Sequence, residues 1–170
     1  MSSDVVVCRT RSMVVEMPVE PHVDRADGGH LIISPIREVK DRRSLPPAEA
    51  VELMWLSALV AEVMFAVLPS FGVAIGRINY QENGNWGAED GDPPMHLHLY
   101  GRARDSVRQP FGQALRLPDP DDDYYDGLEP FRADELEAIR GALSSTADSS
   151  RYRDPEQWRL DPAAPDEFSC

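Results

Sequence analysis

The stretch Pro93-Pro94-Met95-His96-Leu97-His98-Leu99-Tyr100-Gly101-Arg102 constrains this chain more than any other. Apolar residues alternate one for one with histidine and tyrosine. A period of two is the signature of a strand with two unlike faces. Met95, Leu97 and Leu99 then enter a core, and His96, His98 and Tyr100 stand together on the other face. The chain has four histidines in all, so this one strand concentrates its imidazole chemistry. The bland alternative is a partly solvated sheet face that happens to carry two histidines.

The remaining elements read around that strand. Residues 1–11 read as an N-terminal arm. Ser12–Met17 reads as a short strand stopped by Pro18 and Pro21. The segment 20–29 is a polar connection closed by Gly28-Gly29, and His22 within it reads as a solvated surface histidine. His30-Leu-Ile-Ile-Ser34 is rich in β-branched residues and reads as a second strand. Pro46-Pro47-Ala-Glu49 has the proline and acid of a helix start, with no Ser or Thr at the cap. That helix extends to about Leu68. Leu53, Leu56, Val60, Val63 and Val67 follow helical spacing, and Trp55, Leu59, Met64 and Phe65 widen the apolar surface. Such a helix is expected to be covered on more than one side, which suggests a subunit interface. Phe71–Tyr80 reads as a third strand, followed by an Asn- and Gly-rich loop. Asp134–Leu143 reads as a short amphipathic helix, with Leu136, Ile139 and Leu143 inward. The expected architecture is α+β: an antiparallel sheet with one long helix and a short C-terminal helix, and the site on the sheet's open face. The domain spans 12–143, with 144–170 as a tail poorly ordered or draped on the body.

A chain of 170 residues suits one domain with a real core. The formal net charge of -13 argues against nonspecific binding to nucleic-acid backbones. The apolar runs are too short for a proposed membrane span, and the Met1-Ser-Ser-Asp4 start lacks the basic residues of a secretory signal. Cys8 and Cys170 lie near opposite ends and read as reduced thiols. A cytoplasmic protein is expected.

Several separated pieces fall into one register. They are His30-Leu-Ile-Ile-Ser-Pro-Ile-Arg-Glu-Val39, the Leu-Pro-Pro-Ala-Glu-Ala helix start, the Asn-Gly loop and the alternating histidines that end in Gly101-Arg102. Together, over residues 12–104, they resemble the histidine-triad (HIT) family of nucleotide hydrolases and transferases. The resemblance implies a HIT-like fold and a homodimer. It also implies attack by the middle histidine of His-x-His-x-His on the α-phosphorus of a nucleotide, through a nucleotidyl-histidine intermediate. Gly101-Arg102 sets His96 as the middle histidine and His98 as the third, with Pro94 where the first would be: a degenerate triad. A second register makes His96 first, His98 the nucleophile and Tyr100 a stand-in for the third. Asn83, thirteen positions before His96, matches a family asparagine in the first register only. The expected catalytic residues are His96, His98 and His30. The expected substrate-binding residues are Asn83, Asn85, Trp86, Tyr100 and Arg102. Glu89-Asp90-Gly91 stands where the family has phosphate-holding groups, and its two carboxylates would repel a polyphosphate unless turned away or bound to a cation.

The residues support this chemistry in their own right. A neutral imidazole is a good nucleophile toward phosphorus near pH 7. It needs its other nitrogen held by an acceptor to fix the tautomer, and a second histidine can donate to a phosphate oxygen. No Walker loop or dinucleotide fingerprint is present. A small nucleotide or nucleotide conjugate is the expected partner, with no nucleic acid and no membrane. No cofactor is expected beyond a divalent cation that could accompany the nucleotide. Two alternatives stand beside this one. The first is a nucleotide-binding module without turnover. The second is a metal-dependent hydrolase, with His96-x-His98 and a third ligand from His30, His22 or an acid.

Overall fold

The computed structural model describes residues 4–82 and 94–158. Five strands form one antiparallel sheet: β1 (Val5–Arg9), β2 (Met13–Met17), β3 (His30–Pro35), β4 (Ile75–Gln81) and β5 (Leu97–Ala103). Their spatial order is β1-β2-β3-β5-β4, so β5 sits between β3 and β4. Among the described residues three α-helices follow the same chain order: α1 (Pro47–Val67), α2 (Ala133–Ala147) and the short α3 (Ser150–Arg153).

The core fills the space between one face of the sheet and the helices. Leu31 and Ile33 of β3, Leu97 and Leu99 of β5, and Val60, Val63 and Met64 of α1 are buried together. Pro47 opens α1 at a position where its missing N–H costs nothing. A turn at Leu68–Phe71, closed by Gly72 in the left-handed region at φ 83°, ends α1 and delays β4 to Ile75.

Three sequence readings change. The segment read as an arm supplies edge strand β1, paired to β2 through a bulge between Val6 and Cys8. A short β-branched run at a terminus has no partner in view until β2 folds beside it.

The second change concerns α1. Its apolar surface is covered in good part by the chain itself. α2 packs along it, and Trp55 donates through Nε1 to the Tyr152 carbonyl at 3.0 Å. The Tyr152 hydroxyl donates to Glu62 at 2.7 Å. The segment from Ser144 to Trp158 is therefore helical and docked, with Tyr152 buried. Met54 and Phe65 remain exposed on α1. By length and hydropathy residues 47–71 could cross a membrane, but 56% of the most apolar window is buried inside the fold, as in the core helix of a globular domain.

The third change concerns the histidine face, which is not open. His98, Tyr100 and Arg102 are as buried as Leu97 and Leu99. Two connections cover it: residues 18–29 before β3, and residues 104–132 between β5 and α2. Glycine makes the first cover fit. Gly28, at φ 128°, lies so close to Gly101 that a Cβ on it would stand 2.3 Å from the Gly101 carbonyl carbon. The Gly101 N–H donates to the Gly29 carbonyl at 3.0 Å. Polar anchors hold the second cover. The buried Asp27 carboxylate accepts from the backbone N–H groups of Val107, Arg108 and Gln109 at 2.9–3.0 Å. Buried Gln109 ties the loop to itself, donating to the Arg116 carbonyl at 2.7 Å and accepting from the Arg116 N–H at 2.9 Å.

Candidate active site

Strand register begins the site. β3 and β5 pair His30 opposite Tyr100 and Ile32 opposite His98. His30 and His98 therefore stand diagonally on the covered face, and their rings meet: His30 Nε2 lies 2.8 Å from His98 Nδ1. The glycine-closed connection folds over them and adds His22. Its ring stacks on His30 with centroids 4.9 Å apart and lies 5.4 Å from that of His98. His22 is half-buried rather than solvated. Its Nδ1 is 2.9 Å from the Tyr100 hydroxyl.

Backbone groups fix the protons on these rings. The His22 N–H, which can only donate, points at His30 Nδ1 over 3.2 Å. In a neutral His30 the ring proton is therefore on Nε2, where it is donated to His98 Nδ1. A neutral His98 then carries its own proton on Nε2. That atom is buried with no hydrogen-bond partner among the described residues. Burial keeps all three rings neutral. It pushes His98 down to about 3 and His22 to about 4, each further lowered by the neighbouring imidazole His96. It also holds His30 well below the usual histidine range.

His96 is built the opposite way. Its Nδ1 is 2.8 Å from the Pro94 carbonyl oxygen, which can only accept. In a neutral His96 the proton is therefore on Nδ1 and the lone pair on Nε2. The ring is half-buried and meets His98 edge-on with centroids 4.6 Å apart. Two histidines two residues apart thus present opposite tautomers, one a donor at Nε2 and the other a nucleophile.

The other expected residues divide. Tyr100 is on the same face but fully buried, its hydroxyl engaged with His22. Arg102 continues the row, yet its guanidinium donates to the Pro110 and Gln113 carbonyls at 3.1 and 3.2 Å. These bonds tie β5 to the cover. Asn83, Asn85, Trp86 and the Glu89-Asp90 pair lie outside the described residues. Sequence reasoning missed Asp27, Gln109 and Tyr125, and read His22 as a solvated histidine or, in the metal alternative, a third ligand. Only the Gly28-Gly29 pair hinted that the segment before β3 could fold back on the site.

Ligand atoms of His22, His30 and His98 lie within 4.8 Å of one another, close enough to hold a metal ion. Both ring nitrogens of His30 and Nδ1 of His98 are engaged in the hydrogen-bonded relay. A metal would have to displace it. A cleft of about 500 Å³ opens beside the cluster, with His22 and Tyr125 in its lining. The Tyr125 ring lies 5.7 Å from that of His22.

No family model matches the sequence, and no curated protein matches it. Solved structures do match in fold. A zinc-bound histidine triad family protein from Mycobacterium smegmatis is 16% identical with TM-score 0.57, covering 84% of this chain and 86% of that one. A hypothetical histidine triad nucleotide-binding protein from Sulfolobus tokodaii is 12% identical with TM-score 0.53, covering 88% and 87%. A HIT-like protein involved in cell-cycle regulation from Bartonella henselae is 14% identical with TM-score 0.52, covering 82% and 87%.

Proposed function

Starting from a chain that has the histidine-triad fold, we propose that it is a nucleotidyl hydrolase or transferase working through a covalent histidine. The observation that carries this reading is the pair of opposite tautomers at His96 and His98. His96 Nε2 attacks the α-phosphorus of a nucleotide conjugate. The bond from phosphorus to the leaving group breaks as the phosphorus–nitrogen bond forms. His98 donates from Nε2 to a non-bridging phosphoryl oxygen, where negative charge grows. Water or another acceptor then displaces His96 and releases the nucleotide. His30 holds His98 in the donating tautomer and is a positioning residue.

Pro94 is compatible with this scheme. It supplies no imidazole, but its carbonyl is the atom that orients His96. The scheme uses no metal. The register with His98 as nucleophile is disfavoured, since its Nε2 carries the proton. A cytoplasmic homodimer remains part of the proposal, with Met54 and Phe65 as the apolar surface on α1 left for a second copy.

The test is intact-mass spectrometry after mixing with adenosine phosphoramidate and with a dinucleoside polyphosphate. Wild type should gain one nucleotidyl mass. His96→Ala should gain none. His98→Ala should form adduct about ten- to a hundredfold more slowly, the loss of one hydrogen bond to developing charge. Normal adduct in His96→Ala would overturn the assignment. Nucleotide binding by wild type without adduct would favour the module without turnover.

A further inference from the structure

Attack by His96 leaves one proton without a source. When the bond from phosphorus to the leaving group breaks, the electron pair stays on the departing atom. An amine or an alkoxide leaves with that pair only if it gains a proton. Three of the four histidines are already committed. His96 holds its proton at the Pro94 carbonyl and spends its other nitrogen on phosphorus. His98 accepts from His30 at Nδ1 and offers its own proton to a non-bridging oxygen. His30 is buried, with both ring nitrogens in hydrogen bonds.

His22 is the remaining imidazole. Its ring stacks on His30 and lies 5.4 Å from that of His98. Of the four histidines it alone also lines the cleft beside the cluster. Its Nδ1 faces the buried Tyr100 hydroxyl at 2.9 Å, which assigns proton exchange to Nε2. His22 and His96 are close enough to influence each other's charge. Burial keeps His22 neutral in the free protein, and a phosphoryl anion beside the ring offsets that cost. Tyr125, the other ring in the lining, donates its hydroxyl proton to the Pro118 carbonyl at 2.8 Å. The carboxylates of the lining, Glu20 and Asp126, belong to exposed residues.

We propose that His22 is the general acid and base of the reaction, acting through Nε2 from the segment before β3. The proposal rests on the reading of His96 as the phosphorus-attacking residue. His22 takes up a proton from solvent as the anionic substrate binds. In the first step the bond from phosphorus to His96 forms and the bond to the leaving atom breaks. The leaving atom's electron pair takes the His22 proton, and His22 is left neutral. In the second step a water oxygen bonds to phosphorus and its proton passes to His22 Nε2. The electron pair of the phosphorus–nitrogen bond returns to His96, and His22 is again protonated.

Two conjugates of one nucleoside monophosphate test this, a 4-nitrophenyl ester and an alkyl amidate. The nitrophenolate leaves without a proton, and the amine does not. His22→Ala should lower kcat/KM for the amidate about a hundredfold or more, and for the nitrophenyl ester by less than about threefold. His22→Gln, which keeps a polar side chain that can bond Tyr100 but cannot shuttle a proton, should show the same selective loss. A purely structural role lowers both substrates alike and is restored by the glutamine. Equal losses on the two conjugates therefore overturn the proposal. So does a selective loss in Glu20→Gln or Asp126→Asn with none in the His22 variants, which would give the role to an exposed acid. Intact mass of wild type with the nitrophenyl ester reads the His96 step separately. Adduct there together with equal losses sinks His22 alone. Turnover without adduct counts against His96, and the ratio between the two conjugates still decides for or against His22. No turnover of either conjugate by wild type would refute both.

Discussion

The two faces of β5 are equally buried, and different physics buries them. On one face Leu97 and Leu99 pack against the helices. On the other, His98, Tyr100 and Arg102 are covered by two irregular connections held by directed hydrogen bonds. The apolar face is held by contacts that depend on area and shape. The polar face is held by contacts that depend on which atom carries which proton. The first tolerates repacking. The second converts a small geometric error into a wrong tautomer.

That contrast predicts that stability and activity separate. Leu99→Ala removes a fully buried side chain and should cost about 2–5 kcal/mol. Adduct formation at a temperature where the variant is folded should stay near wild type. Asp27→Asn should cost less, about 2 kcal/mol, by weakening three charge-assisted bonds to the cover. Adduct formation should nonetheless fall, since one wall of the cleft is no longer pinned. Denaturant melts with intact-mass rates on the same samples check both. If Leu99→Ala lost more activity than Asp27→Asn, the division between faces would fail.

Acid acts on the polar face alone. An unfolded histidine binds its proton near 6.5, whereas folded His98 does so only near 3. Between those values the unfolded state holds more protons, so stability falls as the pH drops. The contribution is complete above 6.5 and is lost progressively toward 3. Going from pH 7 to pH 5, His98 alone should remove about 1–2 kcal/mol. Denaturant melts across this range should show a shallower slope for His98→Gln than for wild type. Equal slopes would mean that His98 is not held neutral by burial.

The smallest expected effect is the most specific. Tyr100→Phe removes one hydroxyl and should cost about 1 kcal/mol. The His22 ring loses its bond to Tyr100, and the His22 N–H loses its hold on His30 Nδ1. Nitrogen-15 NMR of the imidazoles should then show His30 as a mixture of tautomers, with adduct formation slowed several-fold. An unchanged His30 spectrum would mean that the backbone alone places His22.

Much of the fold was legible because its signals are local. The alternation at 95–100 marked β5. The β-branched run after Gly28-Gly29 marked β3. The Pro47 start and 3.6-residue spacing marked α1. Strand β1 was not legible, since a terminal run of valines becomes a strand only beside β2. The docking of Tyr152 and Trp55 was not legible either, because it joins residues 97 positions apart.

The sequence by itself determined that two histidines share a face with Tyr100. Periodicity and residue identity suffice for that. The tertiary structure alone decided what those histidines are. The His22 N–H and the Pro94 carbonyl fix opposite tautomers at His98 and His96. The close approach of Gly28 to Gly101 brings His22 there. A ring proton is placed by whichever donor or acceptor lies about 3 Å away, and the fold chooses that neighbour across long stretches of chain.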